Sequence, residues 1–241
     1  MDYLYKTPTA VLTFGVAVGL WLLFYPALMS ADSVSHYKEA VLRSYTDWHP
    51  SIMPMTLSLV MALGGDIGAL MLIQCTAGCF AVRYLARVIM IQSGMHRPMA
   101  GWGSLVVLVL LLAPFSPLAF YLMTFWKDSW LAILLLWIVA LALRLHDEID
   151  AERARQPWLR IFILAGTMAF AAMTRHNAIV LLPVFCVVLY VGLRRRQAFT
   201  ALFLCLLPAA LFGVSQYLQN TCSLSDIVIP SSKLWLSISL A

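Results

Sequence analysis

Apolar residues run along this chain in long unbroken stretches, separated by short polar connectors. The stretches are continuous and do not alternate with polar residues, which excludes a β-barrel pattern and predicts helices. A spanning helix needs about 20 mostly apolar residues. The segments that meet or approach this length are 9–29, 66–90, 100–122, 129–145, 158–174, 178–193 and 198–218. An eighth segment, 51–63, has only 13 residues and contains Pro54. It suits a re-entrant or interfacial helix. The first stretch competes with a signal-peptide reading, since Lys6 precedes it. It is longer than a typical h-region of about 7–15 residues, and no small-x-small cleavage site follows, so it reads as an uncleaved span.

Composition supports this pattern. Of 241 residues, 62% are hydrophobic and 11% charged, with a mean hydropathy of +0.87. Soluble domains are about 45–50% apolar and about 25% charged. An ordinary cytosolic enzyme, a disordered tail and a nucleic-acid module are excluded, so no nucleic-acid partner is expected. The lipid bilayer is. The fold class expected is all-α, a polytopic transmembrane helical bundle of seven spans, with eight as the alternative, forming a single transmembrane domain over residues 1–241.

The net charge of +5 reports orientation, because Lys and Arg collect in cytoplasmic loops. Arg194, Arg195 and Arg196 form the densest basic cluster and are placed inside. With seven spans, 11 of the 16 basic residues fall inside: these three, Lys6, Arg83, Arg87, Arg97, Arg144, Arg153, Arg155 and Arg160. Lys38, Arg43, Lys127, Arg175 and Lys233 remain outside. Making 51–63 a full span would put Arg83, Arg87 and Arg97 outside, so seven spans are preferred. The chain is then an integral inner (plasma) membrane protein with a cytoplasmic N-terminus. The mixed-charge loop 146–157 reads as a solvated, helix-friendly cytoplasmic loop. Cys75, Cys79, Cys186 and Cys205 lie in apolar segments and act as small hydrophobes. No structural disulfide is expected.

This topology sends three polar patches to the same, non-cytoplasmic side. The first is 30–50, SADSVSHYKEAVLRSYTDWHP. The second is the connector Phe125-Trp126-Lys127-Asp128. The third is Thr174-Arg175-His176-Asn177. Ionisable groups at a membrane boundary are expensive and count as functional-site hypotheses. In the first patch Val34, Tyr37, Val41 and Tyr45 recur at helical spacing, which predicts a short amphipathic helix on the outer surface with Asp32 or Ser33 as its N-cap. Asp32 is then either a cap or a carboxylate held above the membrane as general base or metal ligand. Trp48 and His49 sit before Pro50, either as interfacial packing or, for His49, as a contact to phosphate or a polar acceptor. Lys127 and Asp128 are either a self-neutralising pair at a helix start or an anion contact and its support. Arg175 either snorkels to headgroups or, with Lys127, holds a phosphate that enters from the lipid, Arg as a fork and Lys as a point charge. No Walker A, HExxH or CxxC motif is present, so a donor is expected from the membrane or from the outer side.

The stretches YPALMSADSVSHYKEA, SYTDWHPSIMPMTLSLVMALGG, FWKDSW and TRHNAIVLLP together resemble the polytopic GT-C glycosyltransferase superfamily, over about residues 5–225. The closest likeness is to a poorly characterised bacterial branch with a D-S-x-x-x-Q-like first loop, a WHPP-like loop end, a K-D connector and an R-H-N-A segment. The resemblance implies an enzyme of the cell envelope that moves a sugar from a polyprenyl-phosphate carrier to a glycan, lipid or protein acceptor on the outer face. It implies Asp32 as the catalytic acidic residue. It also implies Lys127, Asp128, Arg175, His176 and Asn177 along the site of the lipid-phosphate donor, with Trp48 and His49 from the loop reading as further substrate-binding candidates. Asp32 would either take the acceptor proton or bind a divalent cation, which leaves the cofactor open. His36-Tyr37 stand where a Gln is common, and Ser51 replaces a second Pro. Members of the superfamily commonly carry further spans and a soluble C-terminal part, so this chain is expected to be a truncated form or a minimal core. Two other functions are expected from the same residues: an inactive or partner remnant of the superfamily, or a lipid or solute transporter.

Overall fold

The computed structural model describes residues 6–44, 52–113, 116–150 and 157–175. Among them are eight helices and no strand: α1 (Lys6–Leu23), α2 (Ala31–Leu42), α3 (Ile52–Ala62), α4 (Ile67–Gln92), α5 (Arg97–Leu111), α6 (Pro117–Met123), α7 (Lys127–Asp150) and α8 (Pro157–Thr174). The all-helical class expected from the apolar runs is observed. The segments 178–193 and 198–218 and the cluster Arg194–Arg196 lie outside the described residues.

α4 is the axis of the bundle. It packs against α1, α5 and α7, and α3 and α6 close on it as well. Its Leu70, Met71, Cys75, Cys79 and Val82 are buried with Ala17 and Leu20 of α1, Leu108 of α5, Leu122 of α6 and Ile133 of α7. Cys75 and Cys79 are free thiols within this core. A second cluster joins Leu134, Ile138 and Leu145 of α7 to Ile161, Leu164, Met168 and Ala172 of α8. Gly78 sets how closely α6 approaches: a Cβ there would lie 2.2 Å from Leu122 Cδ2. Gly64 (φ +84°) and Gly94 (φ +87°) follow the ends of α3 and α4, where the left-handed turn that closes a helix suits glycine.

Among the described residues two helices, α4 and the Lys127–Leu145 part of α7, are long and apolar enough to cross a membrane. In α1, α5 and α2 burial and hydrophobicity do not fully coincide. α1 buries Thr9 and Thr13 and exposes Val11, Leu12, Phe14, Leu22 and Leu23. α5 buries Ser104 and exposes Val106, Val109 and Leu110. α2 turns Ser33, His36 and Glu39 inward and Val34, Tyr37 and Val41 outward.

Several boundaries differ from those expected. The first apolar run ends as a helix at Leu23, not at residue 29, because residues 24–30 cross to pair with the segment before α7. The run 100–122 is two helices. α5 closes at Leu112, and Ser116 then caps α6, with Pro117 as its first residue; a proline at N1 starts a helix and cannot continue one. α4 runs past Arg83 and Arg87 to Gln92, two residues beyond the expected end of the 66–90 segment, and the turn follows at Ser93. α7 continues through the first residues of the expected loop to Asp150.

Candidate functional site

The site starts from backbone pairing. Leu28 and Thr124 form an isolated bridge: Leu28 N–H donates to the Met123 carbonyl at 2.9 Å, and Phe125 N–H to the Leu28 carbonyl at 3.0 Å. The first two polar patches, almost 100 residues apart in sequence, are therefore stitched together immediately before α2 and α7 begin. Ser33 adds a third tie by donating from Oγ to the Phe125 carbonyl.

α2 has its own start signal. Ser30 caps it, accepting from Ser33 N–H at 3.2 Å, while Ser30 N–H donates back to Ser33 Oγ at 3.1 Å. This is a reciprocal capping box with serine in both positions. The expected caps, Asp32 and Ser33, are thus corrected by two or three residues. Ser30 is preferred because its short hydroxyl and extended backbone reach the third N–H of the helix. The carboxylate of Asp32 is left for another partner.

That partner is Lys127, whose Nζ lies 3.5 Å from Asp32 Oδ2. Lys127 is held in a mostly buried place (11% side-chain exposure), whereas Asp32 stays open to its surroundings (42%). Asp128 pairs with Arg175, Nη1 to Oδ1 at 2.9 Å. The expected self-neutralising Lys127–Asp128 pair is not formed. Consecutive residues on a helix diverge by about 100°. Lys127 accordingly meets α2, and Asp128 meets the end of α8. Arg175 is tied to a carboxylate and does not simply extend toward headgroups. Asp32, Lys127, Asp128 and Arg175, drawn from all three polar patches, form two crossed ion pairs around the start of α7.

The connector that carries Lys127 is fixed from below by α4. Gln74, wholly buried, donates from Nε2 to the Leu122 and Thr124 carbonyls, each at 2.9 Å. Cys75 Sγ lies 3.4 Å from the same Leu122 carbonyl. Aromatic rings flank the connector. Trp126 stacks on Tyr121 at 5.9 Å between centroids, and Trp130 meets the edge of Phe170 at 6.3 Å. Phe125 is fully buried. Beside them the Trp126 Nε1, Ser129 Oγ and Trp130 Nε1 donors are buried without a hydrogen-bond acceptor among the described residues.

Trp48, His49, His176 and Asn177 lie outside the described residues. Pattern reading passed over Gln74 as a positioning residue, and saw Ser33 only as a cap candidate, not as a tie to Phe125. For Ser33 the signal was its place with His36 and Glu39 at helical spacing, a polar stripe opposite the apolar one. Gln74 had a weaker signal: a lone amide within an otherwise apolar span. Among the described residues no three His, Cys, Asp or Glu side chains gather to hold a metal ion. Among the described residues Asp32 faces the Lys127 ammonium, a cation that would compete with a divalent metal for its carboxylate.

No family model, no curated protein and no solved structure matches this chain.

Proposed function

We propose that this chain is a membrane glycosyltransferase that moves a sugar from a polyprenyl-phosphate donor to an acceptor hydroxyl on the non-cytoplasmic face. The observation that carries this reading is the gathering of Asp32, Lys127, Asp128 and Arg175 into crossed pairs at one end of the bundle. A bundle with apolar residues outward and Thr9, Thr13, Gln74 and Ser104 inward suits lipid as its surroundings. α2, with its apolar stripe outward and polar stripe inward, suits an interfacial helix. The seven-span topology with a cytoplasmic N-terminus belongs to the same proposal, as does placement in the inner (plasma) membrane. α3, at 11 residues, rises only about 16 Å and reaches about halfway through a hydrocarbon core.

The chemistry follows from the side chains. Asp32, the exposed member of its pair, takes the proton from the acceptor hydroxyl. The acceptor oxygen forms a bond to the anomeric carbon as the bond from that carbon to the phosphate oxygen breaks. The electron pair leaves with the polyprenyl phosphate. Lys127 and Arg175 neutralise the growing negative charge on that leaving group. Asp128 orients Arg175 through the 2.9 Å contact. The donor brings its own phosphate leaving group, so the reaction needs no nucleotide.

The test is label transfer. Membranes containing the chain, given a polyprenyl-phosphate-linked radioactive sugar, are expected to label an endogenous acceptor. Asp32→Asn is expected to lower the rate about 10²–10⁴-fold at an unchanged protein level, the usual contribution of a general base. Full activity in that variant removes Asp32 from the mechanism. No transfer by the unaltered chain removes the enzyme reading.

A further inference from the structure

The other end of α4 carries a charge of a different kind. Arg83 is 93% buried by its 7% exposure, and its guanidinium donates to the hydroxyl of Thr9, itself fully buried. The Arg83 Nε–H is buried without an acceptor, and no ion pair reaches Arg83 among the described residues. The three helices meeting there add no negative charge: α1, α4 and α5 contain no Asp or Glu. Arg87 lies one turn further along α4. On the next face Arg144 donates to the Tyr84 hydroxyl at 2.9 Å, which brings a third guanidinium to this end. Arg83 stands 16 residues beyond the start of α4, about 24 Å along the axis. With α4 crossing a hydrocarbon core of about 30 Å, that is a headgroup-side depth.

A guanidinium has five N–H donors and is always charged. Burying it against one neutral hydroxyl in an apolar bundle is costly unless an anion completes it. We propose that Arg83, with Arg87 and Thr9 beside it, binds a phosphate-bearing anion at the end of the bundle remote from Asp32. Phosphate accepts two parallel hydrogen bonds from an arginine fork, which fits donors that a single Thr oxygen leaves unused. The same chemistry is offered by the headgroup of an anionic phospholipid and by a soluble phosphate.

The purified full chain in neutral detergent, titrated with short-chain phosphatidylglycerol and followed by native mass spectrometry, tests this. Monogalactosyl diacylglycerol, which has no phosphate, and inorganic phosphate are the comparison probes. Phosphatidylglycerol is expected to bind, and Arg83→Gln to weaken it about tenfold or more, the size of a lost charge-assisted contact. Arg83→Lys keeps the charge without the fork, is expected to bind several-fold less well, and carries the test if the Gln variant does not fold. Displacement of the lipid by inorganic phosphate assigns the site to a soluble anion; lipid binding that phosphate does not displace assigns it to a headgroup. Equal retention of the galactolipid, binding of neither phosphate source, or wild-type affinity in both Arg83 variants overturns the proposal. Asp32→Asn is expected to bind phosphatidylglycerol normally, so this result and the transfer assay fail separately.

Discussion

The two ends of α4 handle positive charge in opposite ways. At the end where α1 exits and α7 begins, Lys127 and Arg175 each meet a carboxylate supplied by a distant part of the chain. At the other end the one partner of Arg83 among the described residues is the hydroxyl of Thr9. The difference teaches what each end is suited to. Arg175 and Asp32 are the open members of their pairs (48% and 42% side-chain exposure), and an exposed ion pair is worth only about 0–1 kcal/mol, so these two exchange partners most readily. Under the proposed function, an incoming phosphate draws Lys127 or Arg175 toward itself, and a Lys127 so drawn releases Asp32 to act on a proton. A buried cation without a carboxylate does the reverse: it retains whatever anion completes it.

Lys127→Ala carries the largest expected effect on this comparison. Transfer is expected to fall about 10²–10³-fold, the loss seen when one group stabilising developing charge is removed, while phosphatidylglycerol binding at Arg83 stays at the wild-type level. If lipid binding falls in step with transfer, the two ends are one site.

Gln74→Leu comes next in size. It leaves the Leu122 and Thr124 carbonyls buried without their donor, a loss of about 1–3 kcal/mol for each group left unsatisfied. Thermal unfolding in detergent is expected at a lower temperature. Transfer is expected to fall with KM unchanged, because the donor phosphate still finds its cations while Lys127 sits less well against Asp32. Gln74→Glu, which keeps the acceptors but removes the amide donor, is expected to be no better. Unchanged stability in both variants would show that the connector is held by the Leu28 bridge and Ser33 without Gln74.

The smallest effect belongs to Tyr25, in the connector after α1. Its hydroxyl donates to Asp66 Oδ2 at 3.1 Å. That hydrogen bond, then the negative charge of Asp66, then slight desolvation hold the phenol above its usual value. A raised folded value means that the stabilisation is fully present below the ordinary tyrosine pKa of about 10 and is lost as pH rises through the folded value. The difference in melting temperature between the wild type and Tyr25→Phe is therefore expected to be constant at neutral pH and to vanish in strong alkali. A difference that persists there would assign it to packing of the ring, which meets Trp21 edge-on at 5.2 Å.

Much of this molecule is legible along one dimension. Unbroken apolar runs announce helices, because backbone hydrogen bonds in an apolar setting are best met within a helix. The place of Asp32, Lys127, Asp128 and Arg175 on one side followed from counting basic residues in connectors. The apolar stripe of Val34, Tyr37 and Val41 was visible as helical spacing. Periodicity and charge bias are local sums, so they reach this far and stop. They cannot say that Lys127 turns to Asp32 and Asp128 to Arg175, since that choice depends on where α2 and α8 pack around the first turn of α7. Nor do they place Ser30 ahead of Asp32 as the cap, or find Gln74 beneath Leu122 and Thr124, contacts about 50 residues apart in sequence. The burial of Arg83 was hidden for the same reason: a basic residue near the end of an apolar run looks solvated until the neighbouring helix closes over it.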